Sequence, residues 1–312
     1  MENLRYRGNG ACCGAYAMAN ALQMNIDIGL FEFSTGTPFG VKEDIKHEKR
    51  LITPLRDPNQ NLDQAMALWG VDCRKFSSFH KREAVENLRT ELEKRDTAIV
   101  AGPLNMGKLA YIPLSNVYMG TDHYIFIRKA KADSVEIVDS EEVLSFEMPF
   151  ERFVQMWDVD EVPEAGGSYG FRVCRKMAGI PETPAILSAA LNLMRKNLTD
   201  AEKENQGSKA FIRLGEFLSS ADIKKYRMGL LYDLAHLMQK KLITMELMQE
   251  PLVQEGIRNI REVTALLDIQ IERISQAAYE LRKYGTIKRL DLEEIGMLER
   301  QISDHYLRFC QV

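Results

Sequence analysis

The sequence lacks what a membrane span, a zinc site or a disulfide framework would need. Among its 312 residues, the longest apolar runs, such as Thr97 to Pro103 and Tyr124 to Ile127, fall far short of the roughly 18 residues that cross a bilayer. A transmembrane helix is therefore not expected. The five cysteines, Cys12, Cys13, Cys73, Cys174 and Cys310, contain no Cys-x-x-Cys pair, and only five histidines accompany them; this disfavours a metal site. An odd cysteine count also argues against a disulfide framework, leaving buried structural thiols and one candidate reactive thiol. The opening Met1-Glu2-Asn3-Leu4-Arg5-Tyr6-Arg7 has no apolar stretch of the secretory kind, so the expected location is cytoplasmic. Excess basic charge is missing too. The 41 Lys and Arg stand against 45 Asp and Glu, a net charge of −4, which disfavours broad capture of nucleic acid. No fixed-period repeat is visible, so a solenoid is not expected.

What is present is ordinary globular material. Hydrophobic residues make up 45% and charged residues 28%, enough for a sizeable core, and the length points to two domains. Glycine and proline mark the division: 14 of 20 glycines and 7 of 10 prolines lie in residues 1–180, and from Ala185 onward only Pro251 interrupts. The first part reads as a helix after Cys13, a loop-rich stretch from Phe33 to Arg56, and helical patterns at Asn61–Trp69 and Lys81–Lys94. Short β-rich runs follow at Ala98–Ala101, Tyr124–Arg128, Val135–Asp139 and Gly170–Cys174. This predicts an α+β domain with an antiparallel sheet over residues 1–178.

Residues 179–312 are predicted to form an all-helical bundle. Apolar residues recur at helical spacing in Ile186–Leu198, Ala210–Leu218, Ile223–Met238, Val253–Tyr284 and Leu292–Phe309. The methionine stripe Met238, Met245 and Met248 reads as core, as do His236 and His305. Cys73, Cys174 and Cys310 read as small core residues.

Chemistry is suggested at two places. In Asn9-Gly10-Ala11-Cys12-Cys13-Gly14-Ala15 a glycine-bearing loop enters a small-residue helix with Cys13 at its start. Unpaired N–H groups and the positive helix end favour a thiolate there and can hold a developing oxyanion. Cys12, one residue earlier, is expected to point away and be buried. The second place is Thr121–Asp139, which reads as a β-hairpin. With its turn centred near Lys131, Ile127 pairs with Val135, Ile125 with Ile137 and His123 with Asp139, all on one face. A histidine held by a carboxylate is what an activated nucleophile requires. A turn shift of two residues would leave His123 and Asp139 diagonal neighbours; a shift of one would separate them.

These residues carry a resemblance. Cys13-Gly14-Ala15, the His123-Tyr124-Ile125-Phe126 strand, and Val138-Asp139 followed by Met148–Phe153 and Trp157 resemble the papain-like C39 peptidase pattern over residues 1–178. The resemblance implies that Cys13 is the nucleophile, His123 the general base and Asp139 the residue that orients the base. Where the peptidases carry an oxyanion-hole glutamine shortly before the nucleophile, this chain has Arg7, with Asn9 the nearest amide. C39 peptidases usually precede membrane transporter domains, whereas this chain continues into helices. That combination, with the Cys13, Asn20 and Leu22 spacing and the Ser34–Gly40 loop, is more similar to cysteine-protease homologues that form amides in natural-product assembly, of the butirosin and closthioamide types.

The resemblance implies transfer of an acyl group from a carrier-protein thioester, through an acyl-Cys13 intermediate, to a diamine or aminoglycoside in nonribosomal natural-product biosynthesis. The partners it implies are a phosphopantetheinyl acyl or peptidyl carrier protein and a small amine, with no cofactor, nucleic acid or membrane; a homo-oligomer is left open. Acidic carriers direct attention to Lys224-Lys225-Tyr226-Arg227 and Lys240-Lys241 as docking runs. Two alternatives stand beside this reading: a peptidase or amidase using the same triad, and a non-catalytic peptide-binding module.

Overall fold

The apolar run after His123 and the Val135–Asp139 segment fold into neighbouring strands of one antiparallel sheet. The structure, a computed structural model, describes residues 12–24, 26–45, 51–94, 98–113, 115–141, 145–177, 179, 181–250, 253–254 and 259–309. In chain order the elements are α1 (Cys13–Leu22), α2 (Ile28–Thr35), β1 (Val41–Glu43), β2 (Ile52–Pro54), α3 (Pro58–Leu68), β3 (Val71–Ser78) and α4 (Lys81–Leu92). They continue with β4 (Ala98–Asn105), β5 (Asp122–Ala130), β6 (Ser134–Val138), β7 (Ser145–Pro149), α5 (Phe150–Met156) and β8 (Tyr169–Lys176). Among the described residues, the helices α6 (Thr183–Lys203), α7 (Ser208–Ser220), α8 (Ile223–Met248), α9 (Ile260–Tyr284) and α10 (Arg289–Phe309) follow. The protein is therefore α+β, with an antiparallel sheet.

Two compact units emerge, Met1–Ile28 with Leu62–Pro181, and Gly29–Asn61 with Glu182–Val312. The first carries a six-stranded sheet in the order β3-β8-β4-β5-β6-β7. Helix α1 lies against β5. Its composition explains the fit: Ala15, Ala17, Met18 and Ala19 are all buried, and a Cβ on Gly14 would already sit 3.3 Å from Leu62. A helix of small residues buried on nearly all sides can approach its neighbours closely. Strand β4 reaches β5 through a bulge, the pairing shifting by one residue between Ala101↔Ile125 and Leu104↔His123. Gly102 (φ +150) occupies the bulge, where a Cβ would stand 2.4 Å from the Tyr124 ring and 2.8 Å from the His123 carbonyl oxygen. Glycine alone fits so close an approach.

The second unit departs from the expected boundary. Residues 29–61 belong with the helices, so the unit is not all-helical: it includes the two-stranded sheet β1-β2. Val41, Leu51 and Ile52 join a core with Phe211, Leu214, Leu234 and Ile295. Buried Asp233 accepts hydrogen bonds from the N–H groups of Leu51 and Ile52, at 2.6 and 2.9 Å. These contacts span about 180 residues, beyond what local periodicity reports. The Ser34–Gly40 loop lies in this second unit, where the Asn197 amide donates to the Gly36 carbonyl at 3.1 Å.

Cys73 and Cys174, expected as separate core thiols, are bonded to each other. Strands β3 and β8 set them directly opposite, with Cα atoms 4.4 Å apart, the close spacing of a non-hydrogen-bonded antiparallel pair. Cys310 lies outside the described residues.

Candidate active site

Cys13 is the first residue of α1 and Cys12 its N-cap. Cys12 is buried and Cys13 half-buried. The first i to i−4 bond of the helix runs from Tyr16 N–H to the Cys12 carbonyl at 3.0 Å, so the N–H groups of Cys13, Gly14 and Ala15 have no acceptor within the helix. That end presents donors and the positive dipole beside the Cys13 sulfur. Arg7 and Asn9, the two oxyanion candidates, lie outside the described residues.

The β5–β6 hairpin delivers the other two groups. Its turn is Lys131–Ser134, closed by Lys131 N–H donating to the Ser134 carbonyl at 2.9 Å, and the register is Ile127↔Ile137 and Phe126↔Val138. The turn lies further along the chain than the sequence reading placed it, and β5 bulges between Ile127 and Lys129. Together these displace the pairing by two, so Asp139 stands diagonal to His123 instead of directly opposite. The face is unchanged, because side chains alternate with period two. His123 Nε2 lies 2.9 Å from both Oδ1 and Oδ2 of Asp139.

Both residues are 1% exposed, and the Asp139 carboxylate is well supplied with donors. Glu141 N–H donates to Oδ1 at 3.0 Å, and the Tyr111 hydroxyl donates to Oδ2 at 2.5 Å. On its other side the His123 ring faces Cys13, whose sulfur is close enough to favour the charged imidazolium. With Nε2 turned to the carboxylate, Nδ1 is the ring nitrogen that remains for the sulfur.

Burial opposes the charged imidazolium, yet the Asp139 charge and hydrogen bond, reinforced by Cys13, hold the His123 pKa well above the ordinary imidazole value. Burial likewise works against the Asp139 carboxylate, but His123, the Glu141 N–H and Tyr111 bring its pKa below the usual carboxylate value. Burial, then the neighbouring Asp139 charge, push the Tyr111 phenol well above its ordinary value. The result is a row of neighbouring groups, thiol, imidazole, carboxylate and phenol, of which the last three are joined by hydrogen bonds. It can activate a sulfur nucleophile and relay a proton to or from the imidazole.

Tyr111 was not singled out by sequence reasoning. It lies in an irregular segment between short 3-10 turns at Met106–Lys108 and Ser115–Tyr118, where no periodicity reports on contacts. Trp157 follows α5 and packs in an aromatic cluster with Phe153, Tyr169 and Phe171, ring centroids 5.6, 5.7 and 6.2 Å away.

The two basic runs considered for carrier docking separate clearly. Lys224 and Lys225 are exposed, and Arg227 donates to the Arg282 carbonyl. Lys241 is fully buried against Glu299, at 2.6 Å, and Lys240 pairs with buried Glu32 at 3.2 Å. Lys240-Lys241 is thus not a docking surface, because both ammonium groups are committed to carboxylates. Met248 is buried and Met238 packs at the margin of the helical core, while His236 stacks on Tyr232 and His305 faces Glu262. Among the described residues, no group of three or more His, Cys, Asp or Glu side chains could hold a metal ion, and no helix is long and apolar enough to cross a membrane.

No protein-family model matches the chain. It is 23% identical over 207 residues to the uncharacterized protein YobF of Bacillus subtilis (strain 168), an alignment covering 65% of this chain and 66% of that protein. The matched stretch thus spans just under two thirds of that relative's length.

Proposed function

We propose that the first unit is a papain-like, C39-like cysteine-protease homologue that forms an amide from a carrier-protein thioester and a small amine. The observation that carries this reading is the buried, hydrogen-bonded His123–Asp139 pair beside a cysteine at a helix N-terminus. The order of parts supports it as well: nucleophile at a helix start, base on the strand against that helix, orienting carboxylate just past the end of the next strand.

In the first half-reaction, Cys13 sulfur attacks the carbonyl carbon of a phosphopantetheinyl thioester. The tetrahedral oxyanion collapses and the pantetheine sulfur leaves, taking the proton held on His123; acyl-Cys13 remains. The amine nitrogen then attacks the acyl carbon, His123 accepts its proton, and the C–S bond breaks to release the amide and restore the Cys13–His123 pair. Asp139 stabilises the imidazolium whenever it forms. Thioester exchange onto cysteine is nearly isoenergetic and aminolysis is downhill, so the donor supplies the driving force. The N–H groups at the start of α1 provide the charge stabilisation that such intermediates need.

Intact mass spectrometry after exposure to acyl-loaded carrier protein tests the proposal. An acyl increment on wild type, absent in Cys13→Ala and discharged as an amide when amine is added, is the expected result. Discharge as free acid whether or not amine is present would assign the same triad to a hydrolase. No increment, together with a Cys13 inert to iodoacetamide at neutral pH, would leave a non-catalytic binding module.

A further inference from the structure

Asp139 is gripped from a direction that neither the nucleophile nor the base uses. The donor is Tyr111, whose hydroxyl lies 2.5 Å from Oδ2 and whose ring packs edge-on against Phe146, centroids 4.8 Å apart. The segment that brings it there, between β4 and β5, is held at both ends by one side chain. Fully buried Asn105 accepts through Oδ1 from Gly107 N–H at 3.1 Å and from Gly120 N–H at 3.0 Å. Met106 N–H donates to the Thr121 carbonyl at 2.9 Å, closing the same gap. At Gly107 a Cβ would fall 2.4 Å from the Met119 Cα, so the two ends of the segment touch as only glycine allows. Lys108 anchors it further on Asp158 at 2.5 Å.

A phenol presented this way does two things to a buried carboxylate. It fixes the rotation of the carboxylate, so that Oδ1 and Oδ2 both stay within reach of the His123 Nε2. It also disperses part of the negative charge that His123 would otherwise face alone.

We infer that Tyr111 is a positioning residue which sets the orientation and strength of the Asp139–His123 pair, and through it the proton affinity of the base facing Cys13. This inference rests on the reading of His123 as the base of Cys13. Hydroxyl donation to Oδ2 competes with the imidazolium for carboxylate charge. The phenol therefore keeps the base from becoming too strong to return its proton to a leaving group. The titratable groups facing the pair are Cys13 from α1, Tyr111 from the segment after β4, and Glu141, whose charge acts on the Tyr111 phenol.

The test is the pH dependence of Cys13 alkylation by iodoacetamide in the full chain, followed by mass for wild type, Tyr111→Phe and His123→Ala. Phe keeps the ring against Phe146 and removes only the hydroxyl. In Tyr111→Phe, the alkaline step that reports loss of the imidazolium is expected to move upward by roughly one pH unit, as fits loss of one hydrogen bond to a charged group. In His123→Ala that step disappears. If Tyr111→Phe overlays wild type while His123→Ala does not, the role assigned to Tyr111 is overturned and the base assignment stands. If His123→Ala itself overlays wild type, the base assignment falls and Tyr111 falls with it. Should Tyr111→Phe not fold, incorporation of 3-fluorotyrosine, a stronger donor of the same shape, is expected to move the step downward. An unmoved step there overturns the inference.

Discussion

Asp139 grips His123 from a diagonal position across the β5–β6 hairpin, with both carboxylate oxygens 2.9 Å from Nε2. In an antiparallel pair, diagonal neighbours on one face stand about 7–8 Å apart between Cα atoms, a gap that an imidazole and a carboxylate can span. The diagonal leaves the ring free to turn its other nitrogen towards α1. A carboxylate held by three donors and buried beside the ring makes the imidazole inseparable from its support, which leads to the following expectations.

On the proposed mechanism, replacing His123 by Ala removes the base while keeping the nucleophile. Turnover of acyl-carrier substrate is expected to fall by about 100- to 10,000-fold, measured as amide formed under saturating amine. A variant within threefold of wild type would rule out His123 as the base.

Stability should follow the protonation of the same pair. His123 has a raised pKa in the folded chain, so its contribution is complete below the ordinary imidazole value and is lost as pH climbs through the raised one. Asp139 has a lowered pKa, so its contribution is complete above the ordinary carboxylate value and is lost as pH falls through the lowered one. Urea unfolding of wild type and His123→Gln across the pH range checks this. The wild-type advantage should be greatest in mild acid and shrink in alkali, and an advantage that grows with pH contradicts it.

Gly102→Ala should damage both stability and activity. The added methyl meets the Tyr124 ring and the His123 carbonyl at distances that real side chains do not occupy, so β4 or β5 must shift. A loss of about 1–3 kcal/mol is expected by chemical denaturation, with slower Cys13 alkylation because the displaced backbone belongs to His123. Wild-type values for both would show that the bulge has more room than the structure gives it.

In the second unit, Lys241 and Glu299 are buried as an ion pair, and the Gln270 amide also donates to Glu299, at 2.9 Å. Lys241→Met alone leaves a buried carboxylate without its counter-charge and should cost about 3–5 kcal/mol. Adding Glu299→Leu should recover most of that loss, since well-packed apolar residues often replace such a pair at little cost. A double-mutant cycle in urea reads this directly, and additive losses would mean the pair is not coupled.

The α+β class was legible because the apolar run Tyr124–Ile127, the period-two alternation in Val135–Ile137, and helical spacing after Thr183 survive into the structure. The shared face of His123 and Asp139 was legible for the same reason: it depends only on parity. Their exact pairing was not, because it depends on where the turn closes and on one bulge in β5, and neither leaves a mark in composition. Strand β3 escaped notice because Asp72, Arg74, Lys75 and Ser77 are exposed on an edge strand, where no apolar face need show. The bond between Cys73 and Cys174 depends on that unseen strand and spans 101 residues. Tyr111 was hidden similarly: its partner is 28 residues away, joined through an irregular segment whose ends are fixed by Asn105 and by the close approach at Gly107.

The path of the chain through residues 29–61 decides how the protein can be divided. Val41, Leu51 and Ile52 are buried among side chains from α7, α8, α9 and α10, each such burial being worth about 1.5–3 kcal/mol, and the Leu51 and Ile52 amides bond to Asp233. Truncation after residue 178 would strip that segment of its partners while leaving it between α1 and the rest of the first unit. Neither part is therefore a portable cassette: a fusion or truncation cut at the glycine-poor boundary would carry residues 29–61 as an insert without its packing partners.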